Sequence, residues 1–144
     1  MEENRMNRLD LKSIDAIPPG VLAYIGDAVY ELYVRENLLK CGLMSEHLDL
    51  DLDKLHKGAV SRVCATAQAQ AFADLELFLM ADEADVARRA RNAKVGRGPR
   101  SMPVLDYRHS TGFEAVIGYL YLLGRDARLK ELMSKALGLI EERL

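Results

Sequence analysis

The 144-residue sequence has little of what would mark several large protein classes. Only two cysteines occur, Cys41 and Cys64, without CxxC spacing or a nearby histidine pair, so neither a zinc site nor a redox motif is indicated and both are expected to be reduced and buried. No apolar run approaches the length needed to cross a bilayer, and the opening MEENRMNRLDLKSID lacks the apolar core of a signal peptide. A cytoplasmic protein without a membrane partner is expected. No convincing strand pattern or internal repeat is visible, and low complexity is confined to DLDLD at residues 49–53. Nor is the chain basic: a net charge of −2 and a pI near 5.9 exclude the wholesale positive surface of many nucleic-acid binders.

What is present is a soluble globular composition, 49% hydrophobic and 29% charged, in a chain long enough for one domain with a real core and too short for two of ordinary size. The charge is unevenly spread. From Arg88 to Arg108 seven basic residues face Asp106 alone, a segment charge of +6 that leaves the rest of the chain at −8. An acidic body with one basic segment points to a polyanion held through that segment. A solvated helix face is the plainer reading of the same arginines.

The pattern predicts an all-α protein. Val21–Leu39 follows Pro18-Pro19-Gly20 and reads as a helix with two apolar stripes, one of Leu22, Ile25, Val29 and Leu32 and one of Val21, Tyr24 and Ala28. So much apolar circumference suggests cover on two sides, by the core and by a second subunit, with Cys41-Gly42 as a stop. Asp51 to Leu79 reads as one long helix or two joined by a bend, and Asp82 as the cap of a helix running to about Ala93. KVGRGPRSMPVLDYRHS reads as the one long loop, after which Thr111 and Glu114 have the spacing of a capping box before AVIGYLYLL. A last helix runs from about Ala127 to the end.

Two acids stand out. In LAYIGDAVYELYV, residues 22–34, Asp27 lies in an almost wholly apolar and small run, beside Gly26 and Ala28. Glu114 lies beside Phe113 and Ala115 and one turn from Gly118. Glycine and alanine let helix backbones approach, so two crossing helices would bring both carboxylates into a tight, partly dry cleft. Facing carboxylates repel unless a cation lies between them, and magnesium accepts one or two carboxylates while keeping several waters. Such an ion activates water and stabilises charge on a phosphodiester. The residues also allow plainer roles, Glu114 as the capping-box acid and Asp27 as a buried partner of Arg35. His47, His56 and His109 read as structural or surface residues, and Tyr24, Tyr30 and Tyr33 as core or dimer contacts.

LAYIGDAVYEL at 22–32 and TGFEAVIGYLYLL at 111–123 resemble the two acidic motifs of the ribonuclease III family, usually written LEFLGDAVLEL and DxFEAxxGAxYLD. LHKGAVSRVCATAQAQA at 55–71, RRARNAK at 88–94 and YRHSTGFEAVIGYLYLLG at 107–124 are similar to the Mini-III branch, which consists of the catalytic domain alone. The likeness covers roughly residues 15–140.

The resemblance implies a homodimeric, helical catalytic domain over residues 1–144, without a double-stranded-RNA-binding domain. It implies a magnesium-dependent endonuclease, with manganese an acceptable substitute, that cuts both strands of duplex RNA to 5′-phosphate and 3′-hydroxyl ends with a short 3′ overhang. Maturation of the 23S ribosomal RNA precursor is the role it suggests, and it leaves room for a ribosomal protein as a further partner. Asp27 and Glu114 match the family's catalytic and metal-binding acids. Two further family acids are replaced, by Ala23 and by Thr111, so water is expected to complete the ion's shell and Thr111 to orient one such water. RNA affinity is expected from Arg88, Arg89, Arg91, Lys94, Arg97 and Arg100, since arginine's planar fork suits the phosphates and shape of A-form RNA. The alternative is a non-catalytic dimeric helical module that binds structured RNA.

Overall fold

The computed structural model describes residues 9–46, Leu48, residues 50–93 and residues 104–144. Among the described residues seven α-helices follow in order: α1 (Leu11–Asp15), α2 (Pro19–Met44), α3 (Leu52–Val63), α4 (Ala65–Leu75), α5 (Ala81–Asn92), α6 (Val104–Leu123) and α7 (Asp126–Glu142), with a 3-10 turn at Glu76–Phe78. No strand occurs among the described residues, in keeping with the all-α expectation.

Local chemistry sets most of the boundaries. The Asp10 carboxylate accepts the Ser13 N–H at 2.8 Å and starts α1, and the Asp51 carboxylate accepts the Lys54 N–H at 3.0 Å and starts α3. Proline opens α2, where a missing N–H leaves no bond unmade. Cys64 adopts ψ 151° between Val63 and Ala65, so the long alanine-rich stretch is two helices meeting at a bend. Gly124, at φ 74°, takes the left-handed turn that ends α6, and the Arg125 N–H returns to the Leu120 carbonyl at 3.0 Å.

Several expectations are corrected. α2 runs on through Cys41 and Gly42 to Met44. α5 is capped at Met80 by the Glu83 carboxylate, which accepts the Met80 N–H at 2.9 Å, while the Asp82 carboxylate turns to Tyr119 Oη at 3.0 Å and Arg125 Nη1 at 2.5 Å. α6 begins at Val104, so VLDYRHS is helical and Thr111 lies well inside the helix. No capping box forms there: the Thr111 hydroxyl donates to the Tyr107 carbonyl at 2.9 Å, one turn back. Both cysteines are exposed rather than buried.

α6 is the axis of the bundle, packed by α2, α4, α5 and α7. From Ser110 to Leu120 every residue is buried except Glu114. Tyr30, Phe72 and Phe113 form its aromatic centre, with Phe113 edge-on to Tyr30 at 5.0 Å and to Phe72 at 6.5 Å. Leucines and isoleucines from α1, α2, α4 and α7 join them, each fully buried side chain contributing roughly 1.5–3 kcal/mol. The core face of α2 is Leu22, Ala23, Gly26, Tyr30 and Val34. Leu32, grouped by periodicity in one stripe with Leu22, Ile25 and Val29, faces outward while Leu22 is buried, because the small-residue side of the helix is the one that fits against α6.

Candidate active site

Two glycines decide where α2 and α6 cross. A Cβ on Gly26 would lie 1.7 Å from the Glu114 carbonyl oxygen, and one on Gly118 would lie 2.0 Å from the Leu22 carbonyl oxygen. Only backbone without side chains fits at this crossing. Asp27 follows Gly26 directly, so the same contact that docks the helices carries its carboxylate to the side of Glu114.

The electrostatics report the proximity. Burial pushes the Glu114 carboxyl up to about 8, the negative charge of Asp27 adds to that rise, and the Gln68 side chain opposes it. Asp27 is raised in the same direction, by desolvation first and then by Glu31. Neither acid forms an ion pair with a described residue: Arg35, the partner considered for Asp27, bonds to Glu31 at 2.7 Å instead, one turn along the helix. Asp27 stands at the open rim and Glu114 in the drier floor.

Around the acids the positions are small or occupied. Ala23 is 5% exposed and Thr111 6%, so both places where the family pattern carries additional acids are packed into the protein. Among the described residues no group of three or more His, Cys, Asp and Glu side chains converges as a metal cage. His109 packs its ring 6.1 Å from Phe72, consistent with a structural role, and His56 lies on α3 beside Leu55 and Ala59, lining a separate apolar pocket. His47 lies outside the described residues.

Gln68, on α4, is the participant that the sequence reading missed. It is fully buried, neither its amide nitrogen nor its amide oxygen has a hydrogen-bond partner, and it stands beside Glu114. The available signal was a glutamine on the inward side of an alanine-rich helix, with Gln70 two residues on facing out.

The basic segment is partly engaged within the fold. Arg88 and Arg89 share Asp85 at 2.6 Å and 3.1 Å, and Arg91 reaches Glu76 at 2.9 Å. All three guanidinium groups remain open to solvent on one side. Lys94, Arg97 and Arg100 lie outside the described residues.

Comparison with known proteins agrees with this geometry. The family model for the ribonuclease III domain matches residues 20–125, which takes in both acids and both crossing glycines. The chain is 42% identical to Mini-ribonuclease 3 of Clostridium tetani over 133 residues, 92% of this chain and 83% of that protein. It is 46% identical to Mini-ribonuclease 3 of Symbiobacterium thermophilum over 125 residues, 87% of this chain and 92% of that one. A crystal structure of a Fusobacterium nucleatum protein has the same fold, with a TM-score of 0.75 at 27% identity, covering 92% of this chain and 98% of that one. A helix crossing that pairs the acids of both family motifs, in a chain matched by that domain model over most of its length, places this protein in the ribonuclease III family, in its Mini-ribonuclease 3 branch.

Proposed function

We propose that Asp27 and Glu114 form the metal centre of a magnesium-dependent endoribonuclease that cuts double-stranded RNA to 5′-phosphate and 3′-hydroxyl ends, in maturation of the 23S ribosomal RNA precursor. Membership of the family makes the chain a nuclease. The observation that carries the site is the glycine-mediated crossing, which brings the two motif helices together and leaves Glu114 in a dry floor where burial first, and the charge of Asp27 second, raise its carboxyl to about 8.

The residues present fit a hard divalent ion. Two carboxylates that repel each other, with no cysteine between them, suit magnesium or manganese, which take oxygen donors and leave several positions to water and phosphate. When bound, magnesium activates a water and stabilises charge on the phosphodiester. Asp27, the more exposed acid, and Glu114, the more buried one, would hold the ion, and the low dielectric around Glu114 would strengthen its attraction. The Thr111 hydroxyl donates its hydrogen bond to the Tyr107 carbonyl, so toward the site it only accepts, which suits it to orient the hydrogens of a water.

Residues 1–144 act as one catalytic domain in this reading, in the cytoplasm, with RNA held by Arg88, Arg89, Arg91, Lys94, Arg97 and Arg100. A second copy would cover the outward stripe of α2, where Val21, Tyr24, Ala28 and Leu32 recur at helical spacing with Tyr24 77% and Leu32 58% exposed. The homodimer then offers one cleft to each RNA strand. A ribosomal protein is a further partner of such an assembly.

Cleavage of long duplex RNA by the full chain, with magnesium and then with excess chelator, tests the reading. Turnover is expected only with the metal, leaving 5′-phosphates, and Asp27→Asn and Glu114→Gln are each expected to abolish it while RNA binding persists. Turnover retained by either variant removes that residue from the site. The buried Ala23 and Thr111, in place of two family acids, favour the second reading, a non-catalytic RNA-binding dimer, and binding without any cleavage by the wild type would establish it.

A further inference from the structure

Gln68 is an anomaly for folding alone. Its amide is fully buried on α4, both polar atoms lack partners, and its neighbours in sequence are alanines. Burying an amide without hydrogen bonds is unfavourable, and an apolar side chain of the same length would fill the space without that penalty. The amide also does not stand just anywhere in the core. It lies beside Glu114, near enough to act on the carboxylate and short of hydrogen-bond geometry. Once a cation holds Glu114 ionised the carboxylate has no proton to donate, so in that state the amide nitrogen is the atom that can face it, and the amide oxygen is left over as an acceptor.

We infer that Gln68 is a positioning residue of the metal site, its amide N–H fixing the Glu114 carboxylate in the orientation that meets the divalent ion and its carbonyl oxygen accepting from a water of that ion's shell. This rests on the reading of Asp27 and Glu114 as the metal centre. Both orphaned atoms then gain partners when the ion arrives. Glu114, the deeper of the two acids, gains a support that neither Thr111 nor Ala23 can give: Thr111 has spent its proton on Tyr107 and Ala23 has none to offer. A ligand held by a neighbour in this way binds its metal more tightly than one left free to rotate.

The test is manganese binding to the full, RNA-free chain, followed by the electron paramagnetic resonance of the free ion. Gln68→Leu is expected to weaken binding by about 10–100-fold, the range for loss of an outer partner of a metal ligand. Its metal-free melting temperature is expected to equal or exceed that of the wild type, since the substitution removes two unsatisfied atoms. Cleavage by Gln68→Leu is expected to recover as magnesium is raised, with the KM for duplex RNA unchanged. Unaltered manganese affinity in folded Gln68→Leu overturns the inference.

Should Gln68→Leu fail to fold, the side-chain amide resonance of Gln68 in the wild-type protein gives the answer: it shifts and gains exchange protection on magnesium titration, or the inference falls. Asp27→Asn and Glu114→Gln in the same manganese assay separate the two layers. If they bind the ion like the wild type, the metal centre itself is wrong and Gln68 falls with it. If they lose the ion while Gln68→Leu keeps it, the centre stands and only the role of Gln68 is lost.

Discussion

Gly26 rests against the carbonyl oxygen of Glu114 so closely that a methyl group in place of its hydrogen would lie 1.7 Å from that oxygen. The atom it would meet is backbone inside a buried helix, which no side-chain rotation can move aside. Gly26→Ala must therefore part α2 from α6, and a loss of about 3 kcal/mol or more is expected, seen in chemical denaturation. Gly138→Ala is the control. Nothing lies within 4 Å of a Cβ there, and replacing an exposed mid-helix glycine of α7 is expected to stabilise by about 0.5–1 kcal/mol.

The proton on Glu114 links the site to pH. A carboxyl whose pKa is raised on folding binds its proton more tightly in the native state, so the stability it contributes is complete below its unfolded value near 4.5 and is lost as pH rises through about 8. The metal-free wild type is expected to lose melting temperature between pH 5 and 8, while Glu114→Gln, which mimics the protonated form, loses clearly less. Discounted for the partial exposure of the site, the difference at pH 8 is about 2 kcal/mol, or roughly 5 °C. Asp27, raised in the same direction, acts with the same sign. Magnesium is expected to restore the wild type at pH 8 and to leave Glu114→Gln unmoved. Parallel curves for the two proteins would dissociate the buried carboxyl from the pH response.

How far the sequence disclosed this site follows from what periodicity can carry. The close crossing beside Asp27 and Glu114 was legible because each acid stood among small residues at helical spacing, and small residues are what such a crossing requires. The start of α6 was not legible. The polar text DYRHST looks like a helix entrance, yet burial of Ser110 and Thr111 against the bundle, with both hydroxyls returned to the Tyr107 carbonyl, continues the helix through it. The outward turn of Leu32 was hidden for a related reason: hydrophobicity marks both apolar faces of α2 and cannot say which one meets α6. Gln68 escaped because a hydrophobic pattern gives no weight to an inward polar residue. The pairing of Arg88 and Arg89 with Asp85, at i−3 and i−4, went unread because the charge count began at Arg88 and left Asp85 outside the segment.

The buried Glu83–Arg128 pair ties α5 to α7. Arg128 meets the fully buried carboxylate through Nη2 at 2.8 Å and Nε at 2.9 Å, donates to the Phe78 carbonyl at 2.7 Å, and lies 4.7 Å over the Phe78 ring. Arg128→Met strands the Glu83 charge in the interior, and a loss of about 3–5 kcal/mol is expected in denaturant titration. Removing the charge as well, in the Glu83→Gln/Arg128→Met double variant, is expected to regain a large part of that loss. A double variant no more stable than Arg128→Met alone would assign the effect to lost packing over Phe78 rather than to the stranded charge.

If the arginines of α5 hold RNA as proposed, the phosphates compete there with Asp85, which already shares their charge. Asp85 holds Arg88 and Arg89 in exposed pairs, which are weak in water and readily exchanged for phosphate. Asp85→Asn leaves both guanidinium groups unshared and is expected to tighten binding of duplex RNA at low salt, measured with excess chelator present. Joint neutralisation of Arg88, Arg91, Lys94 and Arg97 is expected to do the reverse, weakening binding and flattening the plot of log affinity against log salt by up to about 3, since each phosphate contact releases close to one counterion. The two variants act on the same electrostatic contact from opposite sides, so their effects on the salt slope must differ in sign if the basic face of α5 lies on the RNA. Equal slopes in wild type, Asp85→Asn and the fourfold variant would place the RNA on another surface.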